Sequence, residues 1–289
     1  MPNRGPVDYW AQHAEYRNGA MHRVRPTDAT DNLTAVVVNF RTLDATQTCL
    51  ATLRAAYPTL RTVVVDNGSA DQSTAYLREL ETADERVHAI FNDENLFHGP
   101  ALDQGIRAAR TDFVFVLDSD CEILHGGFLE PLVDAFSEDP LLYAIGKRGY
   151  ANRYGYGPIS ERERWTYYVH PFAAVIDRRK YLTLPPFVHH GAPAYRNMWG
   201  ATKAGYNLRH VTIEDHVAHH GRTTATAHGY GYDRRLRLQA RASGIDHRIR
   251  RLVARLTGRE LTPPPLPPAR TGEGPEVRGA REARAAGPP

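Results

Sequence analysis

Cysteine is nearly missing from this chain: Cys49 and Cys121 are the only two in 289 residues. Two thiols are too few for a disulfide framework and suit a reducing, cytoplasmic compartment. Long apolar runs are missing too. No stretch approaches the roughly 20 consecutive apolar residues that a membrane-spanning helix needs, and the opening MPNRGPVDYWAQHAEYRNG lacks the apolar core of a secretory leader. Neither G-x-G-x-x-G nor G-x-x-x-x-G-K-S/T occurs behind an apolar run, so neither a dinucleotide fingerprint nor a P-loop cradle is supported. Histidines crowd the second half, yet no Cys/His or H-E-x-x-H spacing supports structural zinc.

Charge of either sign is close to balanced, with a net +3 that is unevenly spread. Residues Arg234–Arg259 hold nine arginines and one acid, Asp246, so that segment carries +8 and the remainder −5. A general nucleic-acid binder spreads its basic residues over a reading surface, so nucleic acid is excluded as a partner. The same segment, with Leu236, Leu238, Ile245, Ile249, Leu252, Val253 and Leu256 among its arginines, reads as a basic amphipathic helical extension. It would suit peripheral contact with an anionic membrane face or packing against the body of the protein.

What the chain does contain is a series of apolar runs that each end in polar side chains. The most telling is Phe113–Leu117, which runs into Asp118-Ser119-Asp120. An unbroken apolar run of this length reads as a strand buried on both faces, as in a parallel sheet. Carboxylates two residues apart in extended chain point to one side, where each disfavours ionisation of the other. A divalent cation relieves that repulsion, and oxygen ligands suit Mg²⁺ or Mn²⁺. On this motif alone a solvated turn built from Asp-Ser-Asp stays open.

Upstream, strands are expected at Thr34–Phe40, Leu60–Val65 and Val87–Phe91, with helices at Thr42–Ala56, Asp71–Glu81 and Gly99–Arg110. Strands alternating with helices build βαβ units, hence an α/β, Rossmann-like, mostly parallel sheet flanked by helices. Ligands of such sheets sit beyond the carboxyl ends of the strands. Asn39, Asp66 with Asn67, Asn92 with Asn95, and Asp118 with Asp120 all stand at those ends. Four strands ending in groups able to bind a hydroxyl, a base edge or a metal point to one crevice. Further along, Gly146–Trp165 reads as a loop rich in Gly, Tyr and Arg. Phe172–Ile176 is expected to be a strand, with Asp177-Arg178-Arg179 as its turn. The expected organisation is a lead-in over 1–32, a catalytic domain over 33–225, the helical extension over 226–261 and a disordered Pro/Gly/Ala/Arg-rich tail over 262–289.

In order and spacing, TAVVVNFRTLDATQTCLATL, VVVDNGSADQS, NDENLFHGPALDQGIRAAR and FVFVLDSDCEI resemble family 2 glycosyltransferases of the GT-A fold, over about Asn32–Arg222. The resemblance implies that Asp66 contacts a nucleotide base, with Asn39 and Asn67 beside it. It also implies that Asn95 and the helix through Asp103 border the nucleotide-sugar site. Asp118 and Asp120 match the D-x-D pair that holds Mn²⁺ or Mg²⁺ on the donor diphosphate, with Asp118 also facing the donor. His219 or His220 matches a histidine that completes the metal or diphosphate contacts. The implied donor is a nucleotide sugar, with UDP the family's commonest base carrier and GDP and dTDP open. The acceptor would be a carbohydrate, a lipid-linked or a small-molecule hydroxyl, and the transfer would invert the anomeric carbon.

One departure stands out. The family places a Glu-Asp pair about a dozen residues before a helix end that is recognisable here as Lys203-Ala204-Gly205-Tyr206. Pro193 and Ala194 occupy that place, and no Asp or Glu lies between Lys180 and Ile213. His190 upstream and Asp215 downstream are the candidates for the general base. A nucleotidyltransferase is disfavoured because NFRTLD, and no Gly-rich basic loop, follows the first strand. A non-catalytic sugar-nucleotide-binding relative stays open.

Overall fold

A computed structural model describes residues 28–151, 166–188 and 192–221. The elements are, in order, α1 (Asp28–Asp31), β1 (Leu33–Asn39), α2 (Leu43–Ala56), β2 (Arg61–Asp66), α3 (Gln72–Ala83), β3 (Val87–Phe91), α4 (His98–Ala108), β4 (Phe113–Asp118), β5 (Cys121–Ile123), α5 (Leu129–Glu138), β6 (Leu142–Ala151), β7 (Thr166–Asp177), α6 (Arg178–Tyr181), α7 (Tyr195–Lys203), β8 (Asn207–His210) and β9 (Val217–His219). The expected first 32 residues are described only from Asp28, and both the basic extension and the tail lie outside the described residues.

Seven strands form one sheet in the order β3-β2-β1-β4-β7-β6-β8, and β5 and β9 pair as a small antiparallel ribbon. Strands β3, β2, β1 and β4 are parallel; β7 is antiparallel to both β4 and β6, and β8 runs parallel to β6. The chain therefore moves outward from β1 to β3 and then returns to place β4 on the other side of β1. In such a sheet the gap between the carboxyl ends of β1 and β4 is the topological switch point.

The continuous apolar character of β1 follows from burial on both faces. Leu33, Ala35 and Val37 share one core with Cys49, Leu50 and Leu53 of α2 and with Leu129, Leu132 and Phe136 of α5. Val36 and Val38 face the other core, with Ala101, Leu102 and Ile106 of α4 and Met198 of α7. Gly105 lets α4 settle on the sheet, because a Cβ there would come within 2.5 Å of Val36 Cγ1. Asp71 caps α3 by accepting the backbone N–H of Ser73, so the helix starts at Gln72, one residue later than its pattern suggests.

Three expectations are corrected here. Gly146–Ala151 is not loop: it continues β6, with Gly146 paired to Ala174 and Arg148–Ala151 paired with the first half of β7. Strand β7 is twelve residues long and not five, beginning at Thr166. Its ladder with β6 slips between Gly146↔Ala174 and Arg148↔Val169, and Pro171, which has no N–H to donate, lies within that irregular stretch. Last, Asp177 ends β7 and accepts the N–H of Lys180, so the expected turn is a one-turn helix, α6. Residues 152–165 of the expected loop lie outside the described residues.

Candidate active site

The carboxyl ends of β1 and β2 are tied together by one buried amide. Asn39 Nδ2 donates to Asp66 Oδ1 at 3.1 Å, to Ser69 Oγ at 3.0 Å and to Ser73 Oγ at 2.8 Å. Its Oδ1 accepts Thr46 Oγ1 at 2.9 Å and Thr42 Oγ1 at 3.2 Å. Asp66 Oδ2 accepts Thr74 Oγ1 at 2.5 Å. Asn39 is fully buried and Asp66 is 2% exposed, so these two build the floor of the crevice. Among the described contacts Asn39 spends its polar atoms on the protein, which makes it a brace for Asp66.

Asn67 and Asn95 brace the next loop. Asn67 Nδ2 donates to Asn95 Oδ1 at 3.0 Å, and Asn67 Oδ1 accepts Asn92 Nδ2 and the Leu96 N–H. Asn95 Oδ1 also accepts the Phe97 N–H at 2.8 Å. Gly68 lies against this loop in the left-handed region, at φ +75°, and a Cβ there would collide with the backbone of Glu94. Asp103, further along α4, is held by Arg107 Nε at 2.8 Å and by Tyr181 Oη at 2.7 Å. Tyr181 ties it to α6, while Arg107 pairs with it along α4.

Asp118 ends β4, and Ser119-Asp120 turn the chain into β5. The two carboxylates are therefore not on one extended segment, as the i, i+2 spacing suggests; a turn separates them. They still meet at one imidazole. His219 Nε2, delivered by β9, lies 3.3 Å from Asp120 Oδ1 and 3.7 Å from Asp118 Oδ2. The β5–β9 ladder sets this, because Cys121 pairs with His219. Contact with Asp120 pushes the His219 pKa above the ordinary value; burial opposes this and the charge of Asp118 adds to it. His220 faces the other way, with Nε2 3.3 Å from Glu122 Oε2, although its N–H donates to the Asp120 carbonyl.

Two histidines that sequence reasoning did not single out complete the setting. His98, the first residue of α4, places Nε2 3.2 Å from Asp118 Oδ1. Burial works to lower its pKa, but the charge of Asp118, side-chain contact with it and then the charge of Asp120 leave it raised. His170 lies in the irregular stretch of β7, where Nδ1 accepts the Phe172 N–H at 3.3 Å. Burial holds its pKa below the ordinary value, against the pull of Asp118. Phe172 stacks on His219, with ring centroids 4.8 Å apart, and Lys147 Nζ sits 5.7 Å from the Phe172 ring centre. The one advance sign of these residues was position: His98 sits inside NLFHGP, in a segment that follows a strand end, and His170 lies just ahead of an expected strand.

Lys147 also pairs with Glu214, Nζ to Oε1 at 2.5 Å. Burial would raise the Glu214 pKa, but the Lys147 contact outweighs it and holds the carboxyl below its ordinary value. Asp215, its neighbour, is exposed. His190 lies outside the described residues.

The donor set fits a divalent cation. Ligand atoms of Asp120, Cys121 and His219 lie within 4.8 Å of one another. The Cys121 thiol is kept protonated by burial and by Asp118, and it points at the Phe172 carbonyl, 3.5 Å away. What remains is carboxylate oxygen and imidazole, a pairing that suits Mn²⁺ better than a thiolate metal. Asp118 Oδ1 is buried, with no aligned hydrogen-bond donor among the described residues, as an oxygen reserved for a ligand would be.

A mostly parallel sheet flanked by helices, with its switch point facing this cluster, is the architecture of the GT-A class. Residues 34–199 match the description "Glycosyl transferase family 2", and the chain belongs to that family. Among solved structures it is similar to a mannosyltransferase, PcManGT, from Pyrobaculum calidifontis, in complex with GDP-Man and Mn²⁺. That likeness has 18% identity and a TM-score of 0.48, over 70% of this chain and 63% of that one. It is also similar to GalNAc-T7 with UDP, GalNAc and Mn²⁺, at 13% identity and a TM-score of 0.50, over 62% of this chain and 42% of that one. The chain thus spans less than two thirds of either protein. No curated protein matches it in sequence. Among the described residues no helix is long and apolar enough to cross a membrane.

Proposed function

We propose that the protein transfers a sugar, with inversion, from a nucleoside-diphosphate sugar to an acceptor hydroxyl, using Mn²⁺ or Mg²⁺ held by Asp120, His219 and Asp118. The observation that carries this reading is the meeting of Asp118, Asp120 and His219 at the carboxyl edge of the sheet, beside an Asp66 buried by its own braces. UDP leads as the donor's nucleotide, with GDP and dTDP open; one solved structure of similar fold, GalNAc-T7, is a complex with UDP and Mn²⁺.

A cation bound there would offset the negative charge that develops on the departing diphosphate. The chain's own residues do the rest. Asp66 and the loop held by Asn67 and Asn95 wall the base and ribose side. Lys147, facing Phe172 and His219 from β6, adds positive charge on the opposite side. For the acceptor's proton we keep His190 and Asp215 as candidates and add Glu214. The Lys147 contact keeps that carboxylate ionised at neutral pH, and so able to accept a proton. The acceptor would be a carbohydrate, lipid-linked or small-molecule hydroxyl. A peripheral position at the inner membrane face would suit a lipid-linked acceptor.

The test is thermal stabilisation by UDP-, GDP- and dTDP-sugars with and without Mn²⁺, followed by transfer assays with the stabilising donor. Metal-dependent stabilisation and turnover support the reading. The absence of acids between Lys180 and Ile213 favours one second reading, a non-catalytic binding relative. Metal-dependent binding without transfer or donor hydrolysis would establish that one.

A further inference from the structure

His98 lies within NDENLFHGPALDQGIRAAR, a stretch whose resemblance gives it no role, yet several contacts combine to place it. Asn67 reaches across to Asn95 and to the Phe97 carbonyl, and Asn95 takes the Phe97 N–H. Phe97 itself adopts φ +69°, a conformation a non-glycine residue holds only when its surroundings impose it. Buried Asn67 and half-buried Asn95 thus fix the residue immediately before His98 and bring the ring against Asp118.

The contact has an unusual form. Nε2 of His98 lies 3.2 Å from Asp118 Oδ1. That oxygen is nevertheless buried without an aligned donor among the described residues. A ring nitrogen and a carboxylate oxygen at this distance have the spacing of two neighbouring ligands around a third atom. Adjacent ligand atoms of an octahedral ion with bonds of about 2.1 Å stand about 3 Å apart. The other oxygen, Oδ2, is 3.7 Å from His219 Nε2, so Asp118 lies between two imidazoles from distant parts of the chain.

We propose that His98 is a ligand of the divalent cation at Asp118, and that with His219 it makes this site select Mn²⁺ over Mg²⁺. Imidazole binds transition metals well, whereas Mg²⁺ prefers oxygen and keeps its waters. The proposal rests on the reading that this site binds a cation with a nucleoside diphosphate. It differs from a simple ion pair in its consequences. A histidine that only neutralised Asp118 would compete with the cation, and removing it would leave binding of both ions unchanged or tighter.

The experiment measures Mn²⁺ binding to the full chain by loss of the free-ion electron paramagnetic resonance signal. It is run on Mn²⁺ alone and in separate arms with UDP and GDP, and Mg²⁺ is read by competition. His98→Ala and His98→Gln are expected to weaken Mn²⁺ by about tenfold or more, with Mg²⁺ little changed. His98→Asp, which restores an oxygen, is expected to narrow the preference. Circular dichroism checks folding, and the Gln and Asp variants carry the test where Ala does not fold. Wild-type binding with unchanged or tighter Mn²⁺ in the variants overturns this proposal alone. Wild-type protein that binds neither ion in any arm overturns the reading beneath it as well.

Discussion

His219 Nε2 stands 3.3 Å from Asp120 Oδ1, and the adjacent His220 turns its ring to Glu122. His219 is the last residue of β9 and His220 lies just past it with its ring on Glu122, so of the two only His219 faces the cluster. His219→Ala is expected to weaken Mn²⁺-dependent nucleotide binding by about tenfold or more, and His220→Ala to leave it nearly unchanged. Titration calorimetry with UDP or GDP and Mn²⁺ distinguishes them. Equal losses would reverse the assignment of the metal to His219.

The Lys147–Glu214 pair offers a kinetic test. A general base contributes typically about 10²–10⁴-fold to rate. Glu214→Gln is expected to lower kcat within that range while leaving donor KM close to wild type, because the carboxylate acts on the acceptor. Asp215→Asn and His190→Ala, measured beside it, complete the comparison. A full loss in either of those, with Glu214→Gln fully active, moves the role to that residue.

Stability should fall on the acid side for a reason seen in β8. His210 Nδ1 accepts the Arg148 N–H at 2.7 Å, which requires that nitrogen to be unprotonated. Burial lowers the His210 pKa, with Arg148 and Lys147 pushing the same way and Gly146 and Glu214 opposing. The folded state therefore binds fewer protons than the unfolded state, whose histidine titrates near about 6.5. The stabilisation is complete above that pH and is lost as pH falls through the depressed folded value. Thermal unfolding between neutral pH and about pH 5 should show a falling Tm, and His210→Asn, which keeps an acceptor, should flatten that slope. An unchanged slope would mean that the ring titrates freely in the fold.

Gly105 tests the packing that sets α4, and with it His98, on the sheet. A methyl there meets Val36 Cγ1 at 2.5 Å and Val65 Cγ2 at 3.2 Å, both rigid β-branched side chains in a buried core. Gly105→Ala should destabilise by about 1–3 kcal/mol despite its better helix propensity. Denaturant unfolding measures it, and a neutral or stabilising result would show that α4 can lift away.

Much of the fold could be read ahead because β1, β2, β3 and β4 are apolar runs bounded by turn formers, and their order dictates a parallel sheet. The antiparallel part was harder. The first half of β7, TYYVHP, alternates poorly and includes Pro171, while β8 and β9 are four and three residues long. Short strands of this kind gain their stability from neighbours, which a linear pattern does not display. The same holds for the site. Strand-end residues Asp66, Asp118 and Asp120 are conspicuous in sequence. His98 and His170 become site residues only when α4 and the irregular stretch of β7 fold against β4. Asn39 could be placed at the site, but its work as a brace depends on Thr46 of α2, Ser69 after β2 and Ser73 of α3.

The most direct measurement is Mn²⁺-dependent binding of UDP and GDP to the wild-type chain and to Asp118→Ala, Asp120→Ala and the double variant, with folding verified by circular dichroism. If these carboxylates hold the cation on the donor diphosphate, wild type binds a nucleotide more tightly with Mn²⁺ than without, and the double variant loses that metal dependence. Unchanged metal-dependent binding in the folded double variant would contradict it.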